Sequence, residues 1–275
     1  MEMNVCYPIV GPCSNAKIMA MGGDFEANLN TLRDIGFEAV ELMIGDPSRI
    51  DVKRLRTRLG ESGMKIAAVG VTPLVVEEGL VLAHREADVR ARALSRALAV
   101  VEFAAEFGAP FCIGSFRGNV EPDSSDNNRE RASEAFRRIC DKARQFSTHV
   151  FIEPQGEANG NYINTVNDAL EWVKAVGADN MYLILDLFHM ANNEPSVFAS
   201  IGRAAAAGRI GLVHTCDSKR LMMGFGDHPV REFIGAILAA GYNGYFSVEI
   251  KQRPDSRTAA RMSFDFFDYL QKVVF

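Results

Sequence analysis

Four apolar runs in the second half of this 275-residue chain each end on a side chain that can bind a divalent cation. They are His149-Val-Phe-Ile-Glu153, Tyr182-Leu-Ile-Leu-Asp186, Ile210-Gly-Leu-Val-His214 and Tyr245-Phe-Ser-Val-Glu249. Runs without polar alternation are what strands covered on both faces look like. Taken alone, Asp186 would read as the cap of a following helix and His189, three residues on, as an ordinary loop histidine. Four such ends together point to a common cause. Carboxylates brought close to one another repel, burial of each is costly, and a shared cation is the simplest partner. Three carboxylates and one imidazole suit Mn²⁺ foremost, with Co²⁺, Mg²⁺ or Zn²⁺ as alternatives, and one such ion would act as a Lewis acid.

These ends must be brought together by a scaffold, and the rest of the chain supplies one. Strand-like segments at 4–10, 37–44, 64–71, 110–114, 150–153, 182–186, 210–214 and 245–249 alternate with helical stripes at 24–35, 51–62, 85–107, 129–146, 165–176, 195–207, 230–240 and 257–273. Glycines stop many of these helices, among them Gly36, Gly63, Gly108, Gly177, Gly208 and Gly241. Strict βα alternation implies parallel pairing with right-handed crossovers, and the length suits a closed eightfold barrel of about 250 residues. The expected fold is therefore α/β, a single (β/α)8 TIM barrel over residues 1–275. In such a barrel Glu153, Asp186, His214 and Glu249 share one arc of the C-terminal mouth, where barrel sites are built. Two longer loops, Thr72 to His84 and Ser115 to Asn128, fall on the same rim and are expected to wall the site. Arg117, in Gly114-Ser-Phe-Arg-Gly118, could hold a substrate carboxylate or phosphate in its bidentate fork, or simply pair on the rim. His228 and Asp227 also fall near the mouth, whereas His84 and His149 read as structural.

Composition excludes several classes. A formal net charge of −5 and a pI near 5.6, with no basic face, argue against nucleic acid as a partner. The arginines at 85, 90, 92 and 96 sit at helical spacing on a solvated face. No apolar run approaches the roughly 18 residues that span a bilayer, and the N-terminus lacks the basic start of a signal peptide, so a cytoplasmic protein without membrane partners is expected. Five scattered cysteines without CxxC spacing support neither a disulfide framework nor a thiolate zinc site. No GxGxxG or P-loop pattern follows the first strand.

The segments Ile-Glu153-Pro, Leu-Asp186-Leu-Phe-His189-Met, His214-Thr-Cys-Asp-Ser-Lys-Arg220 with Gly224-Phe-Gly226, and Gly241-Tyr-Asn-Gly-Tyr-Phe-Ser-Val-Glu249 resemble the xylose-isomerase-like barrel superfamily, and within it the ketose 3-epimerase and hydroxypyruvate isomerase group. The resemblance implies metal ligation by Glu153, Asp186, His214 and Glu249, proton exchange by Glu153 and Glu249, and a grip on substrate oxygens by His189 and Arg220. It further implies a small sugar or keto-acid substrate and a homo-oligomer, dimer or tetramer. The physical chemistry agrees. A proton beside a ketone is too weakly acidic to remove at neutral pH unless the enediolate is stabilised. Two carboxylates on opposite faces could then remove a proton from one side and return it on the other, or to the neighbouring carbon. The expected function is a divalent-metal-dependent isomerase or epimerase of a small ketose, ketose phosphate or keto acid. The alternative is a metal-dependent dehydratase of an inosose-like or dehydroshikimate-like ketone. An abasic-site endonuclease of this superfamily needs further histidines at strand ends in the first half, which the chain lacks. One departure stands out: the epimerases carry another glutamate six residues after the first, where this chain has Asn159. Either Glu157 replaces it through a shifted loop, or Asn159 does a neutral version of its task.

Overall fold

Hydrogen bonding carries each apolar strand to its sequence neighbour and the last back to the first. The computed structural model describes residues 3–120 and 128–274. In it β1 (Asn4–Val10), β2 (Ala39–Met43), β3 (Lys65–Gly70), β4 (Phe111–Ile113), β5 (Val150–Ile152), β6 (Met181–Asp186), β7 (Ile210–Thr215) and β8 (Tyr245–Val248) form a closed parallel barrel in chain order. Closure is made by β1 against β8, with Cys6 opposite Ser247. This is the expected (β/α)8 barrel.

The crossover helices are α1 (Phe25–Ile35), α2 (Val52–Ser62), α4 (Ala87–Ala105), α5 (Asn128–Gln145), α6 (Val166–Val176), α8 (Val197–Ala206), α9 (Val230–Ala239) and α10 (Ser256–Tyr269). Their starts are local chemistry: Asp24 accepts from Ala27 N–H at 2.9 Å and Asp51 from Arg54 N–H at 3.0 Å, satisfying helix donors that have no partner within the helix. Thr165 and Asp168 make a reciprocal capping box before α6. Each helix then lays an apolar stripe on the strands, as with Leu29, Leu32 and Ile35 of α1. The main core lies between strands and helices, and smaller clusters form apart from it, Cys6 with Ala39 and Ala67, Ala68 with Cys112, Phe151, Ile184 and Leu212, and Val10 with Ala20 and Met43.

Two further helices interrupt the expected alternation. The segment Thr72 to His84 is not a plain loop: α3 (Thr72–Glu78) forms there, with Pro73 in its first turn, where the missing N–H costs nothing, and with Leu74 buried. The second, α7 (Leu187–Asn193), starts immediately after β6. In the other long loop a 3₁₀ turn spans Ser115–Arg117, and residues 121–127 lie outside the described ones. No helix among the described residues is long and apolar enough to cross a membrane.

Candidate metal centre

The register of the last strands sets the site. Asp186 pairs with His214, and His214 with Ser247, in one row across β6, β7 and β8. Glu153 and Glu249 each lie one residue past a strand and are tied by their own N–H groups, to Ile113 O at 3.0 Å and Thr215 O at 3.2 Å. One ligand atom from each of Glu153, Asp186, His214 and Glu249 can be chosen so that all lie within 4.8 Å of one another. His214 Nδ1 is 3.2 Å from Glu153 Oε1, 3.5 Å from Glu249 Oε2 and 3.6 Å from Asp186 Oδ2. Both Glu153 Oε1 and His214 Nδ1 are buried, yet neither makes a hydrogen bond of acceptable geometry. Buried polar atoms seldom go unmatched, so this donor set fits a divalent ion. Asp186 meets both readings of its sequence position. Its Oδ1 caps α7 by accepting from Phe188 N–H at 2.8 Å, while Oδ2 turns to the cluster.

Charge compensation is dense. Burial opposes ionisation of Asp186 and Glu249, but the Arg220 guanidinium and His214 beside them hold both carboxyls below their ordinary values, Asp186 well below. Arg220 Nη1 reaches Asp186 Oδ2 at 2.7 Å and Glu249 Oε2 at 2.8 Å. Burial likewise opposes a charged His214, but the carboxylates of Glu41 and Glu249 hold its pKa well above 6.5. Arg220 is aimed by its backbone. Lys219 and Arg220 take φ of 60° and 59°, a left-handed conformation that costs non-glycine residues about 1–3 kcal/mol each. Asp217, buried, steadies the turn by accepting from the N–H groups of Ser218, Gly224 and His228.

His189, carried by α7, meets Arg220 across the cavity: its Nε2 is 3.1 Å from Arg220 Nη2. The backbone N–H of Gly156 lies 3.2 Å from His189 Nδ1, so N–H donors face both nitrogens of the ring, of which a neutral imidazole accepts at one. This overturns the expectation for Glu157. The loop offers a backbone amide to the histidine, not a carboxylate, and Glu157 is exposed and does not line the cavity, whereas Asn159 does. The cavity, about 910 Å³, runs from Glu41 and Cys112 at its floor to Lys17, Lys251 and Arg253 at its rim.

The expectation that Arg117 holds a substrate anion is likewise corrected. Its side chain is 0% exposed and its guanidinium is occupied by Tyr162 O (3.1 Å), Gly114 O (3.1 Å), Glu153 O (3.3 Å), Ile163 O (3.5 Å) and Gln155 Oε1 (3.0 Å). Gln155 Nε2 in turn donates to Glu153 Oε2 at 2.5 Å. Arg117 therefore fixes the amide that fixes Glu153. Glycines make room for this packing: a Cβ at Gly114 would lie 2.7 Å from Glu153 Oε2, and one at Gly160 2.7 Å from Arg117 Nη2. His149 packs edge-on against Tyr182 and His84 accepts from Glu86 N–H. His228 lines an adjoining hollow that shares His189 and Arg220 with the main cavity, and Asp227 lines neither. Sequence reasoning passed over Glu41 and Gln155. Glu41 did leave a signal, an acid inside the otherwise apolar strand Ala39-Val-Glu-Leu-Met43.

A closed parallel barrel with a carboxylate and imidazole cluster at its C-terminal mouth defines a class of metal-type barrel proteins. Residues 29–270 match the xylose isomerase-like TIM barrel family, and the chain belongs to it. It is 26% identical over 231 residues to an L-ribulose 3-epimerase of Mesorhizobium japonicum, covering 82% of this chain and 75% of that one. It is 27% identical over 241 residues to a ketose 3-epimerase of Arthrobacter globiformis, covering 81% and 78%. Among solved structures, an L-ribulose 3-epimerase superposes with a TM-score of 0.79 at 22% identity over 96% of this chain and 93% of that one. The Escherichia coli 3-keto-D-glucoside 4-epimerase gives 0.79 at 19% identity over 97% and 99%.

Two outcomes are expected. Replacing Arg117 by Met leaves five acceptors without their donor, so stability in urea should fall by about 3–5 kcal/mol, with turnover reduced alike for neutral and anionic substrates; a loss confined to anionic ones would restore Arg117 as an anion anchor. The raised pKa of His214 means that its proton is held above pH 6.5 and must leave when a cation binds at Nδ1. The stability this proton brings is present below pH 6.5 and lost as pH rises through the raised pKa; that of Asp186 and Glu249 is lost on acidification through their depressed values. Mn²⁺ affinity, titrated calorimetrically, should therefore keep rising with pH above 6.5 until the raised pKa is passed, by up to about tenfold per unit, with proton release. A flat profile would place the ion elsewhere.

Proposed function

We propose that this protein is a metal-dependent ketose epimerase that inverts a carbon next to a ketone by two-sided proton transfer. The observation that carries the reading is the convergence of Glu153 and Glu249 with Asp186 and His214 within 4.8 Å at the mouth of a barrel of this family. Relatives named ketose and L-ribulose 3-epimerases support it. When bound, a divalent ion would polarise the ketone and offset the negative charge that develops on its oxygen. The residues supply the rest. Glu153, held at Oε2 by Gln155, and Glu249, reached at Oε2 by Arg220, are the two carboxylates that take and return the proton. His189 Nε2 and Arg220 Nη2 meet at 3.1 Å on the cavity wall, where the imidazole and guanidinium together are placed to hold a sugar oxygen.

Mn²⁺ is the ion we favour, because carboxylate oxygens dominate the donor set and one imidazole completes it. As to the sugar, with Arg117 engaged in the wall, a phosphate or carboxylate on the substrate would be met at the rim by Lys17, Lys251 and Arg253.

The test is proton NMR in D₂O with Mn²⁺-loaded protein and a panel of ketoses, ketose phosphates and keto acids, the metal being chelated before acquisition. Deuterium is expected at a carbon beside the carbonyl, with the epimer appearing. The Glu249→Gln variant should fold and retain substrate affinity while exchange falls by about 10²–10⁴-fold. Normal exchange in that variant would remove Glu249 from the chemistry, and an unsaturated product would indicate dehydration.

A further inference from the structure

One buried carboxylate has no task in this proton transfer. Glu41 is 1% exposed and sits within the apolar strand β2. Its Oε2 accepts a 2.6 Å hydrogen bond from Ser247 Oγ on β8 and lies at ion-pair distance, 3.2 Å, from His214 Nε2, a buried nitrogen that makes no other hydrogen bond and that a small rotation of the ring or carboxylate would align with it. The imidazole thus stands between two sets of acids, with Nδ1 facing the three clustered carboxylates and Nε2 facing Glu41. The neighbouring thiols of Cys6 and Cys112 offer no compensation: burial, and then the charge of Glu41, push both above their ordinary range, so they stay neutral. A single hydroxyl does not offset the desolvation of a buried carboxylate, which costs several kcal/mol. Among the described residues, His214 is the cation-forming group in ion-pair contact with Glu41.

We propose that Glu41 is a positioning residue for His214, holding the ring proton on Nε2 so that Nδ1 offers its lone pair to the side where the other ligands gather. Ser247, in the same row as His214, orients Glu41 in turn. A histidine ligand whose far nitrogen is fixed by a carboxylate is a more basic and better oriented ligand, and loss of that partner lowers metal affinity by about 10–100-fold. The inference rests on the proposed metal-dependent reading of the cluster and adds a fourth acidic residue, one that acts through His214.

The test is Mn²⁺ binding to the full chain, read from the electron paramagnetic resonance signal of the free ion, so that it needs no substrate. Glu41→Gln keeps the size of the side chain and loses its charge, and its dissociation constant should rise about 10–100-fold. Ser247→Ala, which cannot fail through a charge change, should weaken binding by about 3–10-fold. Excess Mn²⁺ should return both variants to within about threefold of wild-type turnover, a rescue that simple structural damage would not permit. Wild-type affinity in a folded Glu41→Gln protein, or in Ser247→Ala should the first variant not fold, overturns the role of Glu41 while leaving the epimerase reading standing. No Mn²⁺ binding by the wild-type protein overturns both.

Discussion

Like charges forced together at the mouth of a closed barrel are the constraint on which the rest of the molecule turns. Glu153, Asp186 and Glu249 present three carboxylates to one space, and each would be expensive to bury without a partner. Arg220 and His214 answer part of that charge from within the chain, and for this the backbone accepts a left-handed conformation at two consecutive non-glycine residues. Strain of this kind persists only where surrounding structure over-determines it. Here the buried Asp217, receiving three backbone N–H groups, does so.

The positions of the charges follow from strand register more than from side-chain choice. Asp186, His214 and Ser247 stand in one row because β6, β7 and β8 pair in parallel at fixed offsets. Glu153 and Glu249 complete the set from one residue beyond their strands, each anchored by its own amide. Behind this row a second layer of polar groups acts at a distance. Arg117 works on Glu153 through Gln155, so a fully buried cation serves the geometry of a carboxylate it does not contact by ion pair.

The strands and the cluster of acids and imidazole at their ends were readable in the sequence because, in an alternating βα chain, a continuous apolar run that ends in Glu, Asp or His delivers that side chain to the barrel mouth. Helix limits were readable from caps such as Asp24 and Thr165 and from glycine stops. What could not be read depended on tertiary contact. α3 looked like loop because its helical run is short and opens with proline. Arg117 looked like a surface anion binder because nothing local says that residues 155–163 will fold over it and supply most of its five acceptors. The Glu157 reading failed because a shift of one loop residue decides whether a carboxylate or a backbone amide faces His189. Glu41 went unnoticed because an acid within a strand carries meaning only once the neighbour across the barrel is known.

Asp186 divides its two oxygens between a helix and a cluster, and this has a thermodynamic consequence. Oδ1 holds the first turn of α7, the helix that carries His189, while Oδ2 belongs to the ligand set. Any event that fixes the orientation of this carboxylate also fixes the start of α7 and hence the imidazole of His189 on the cavity wall. Events at the carboxylate cluster and events at the His189 wall of the cavity therefore share one mechanical element, and any coupling between them acts by the same factor in both directions.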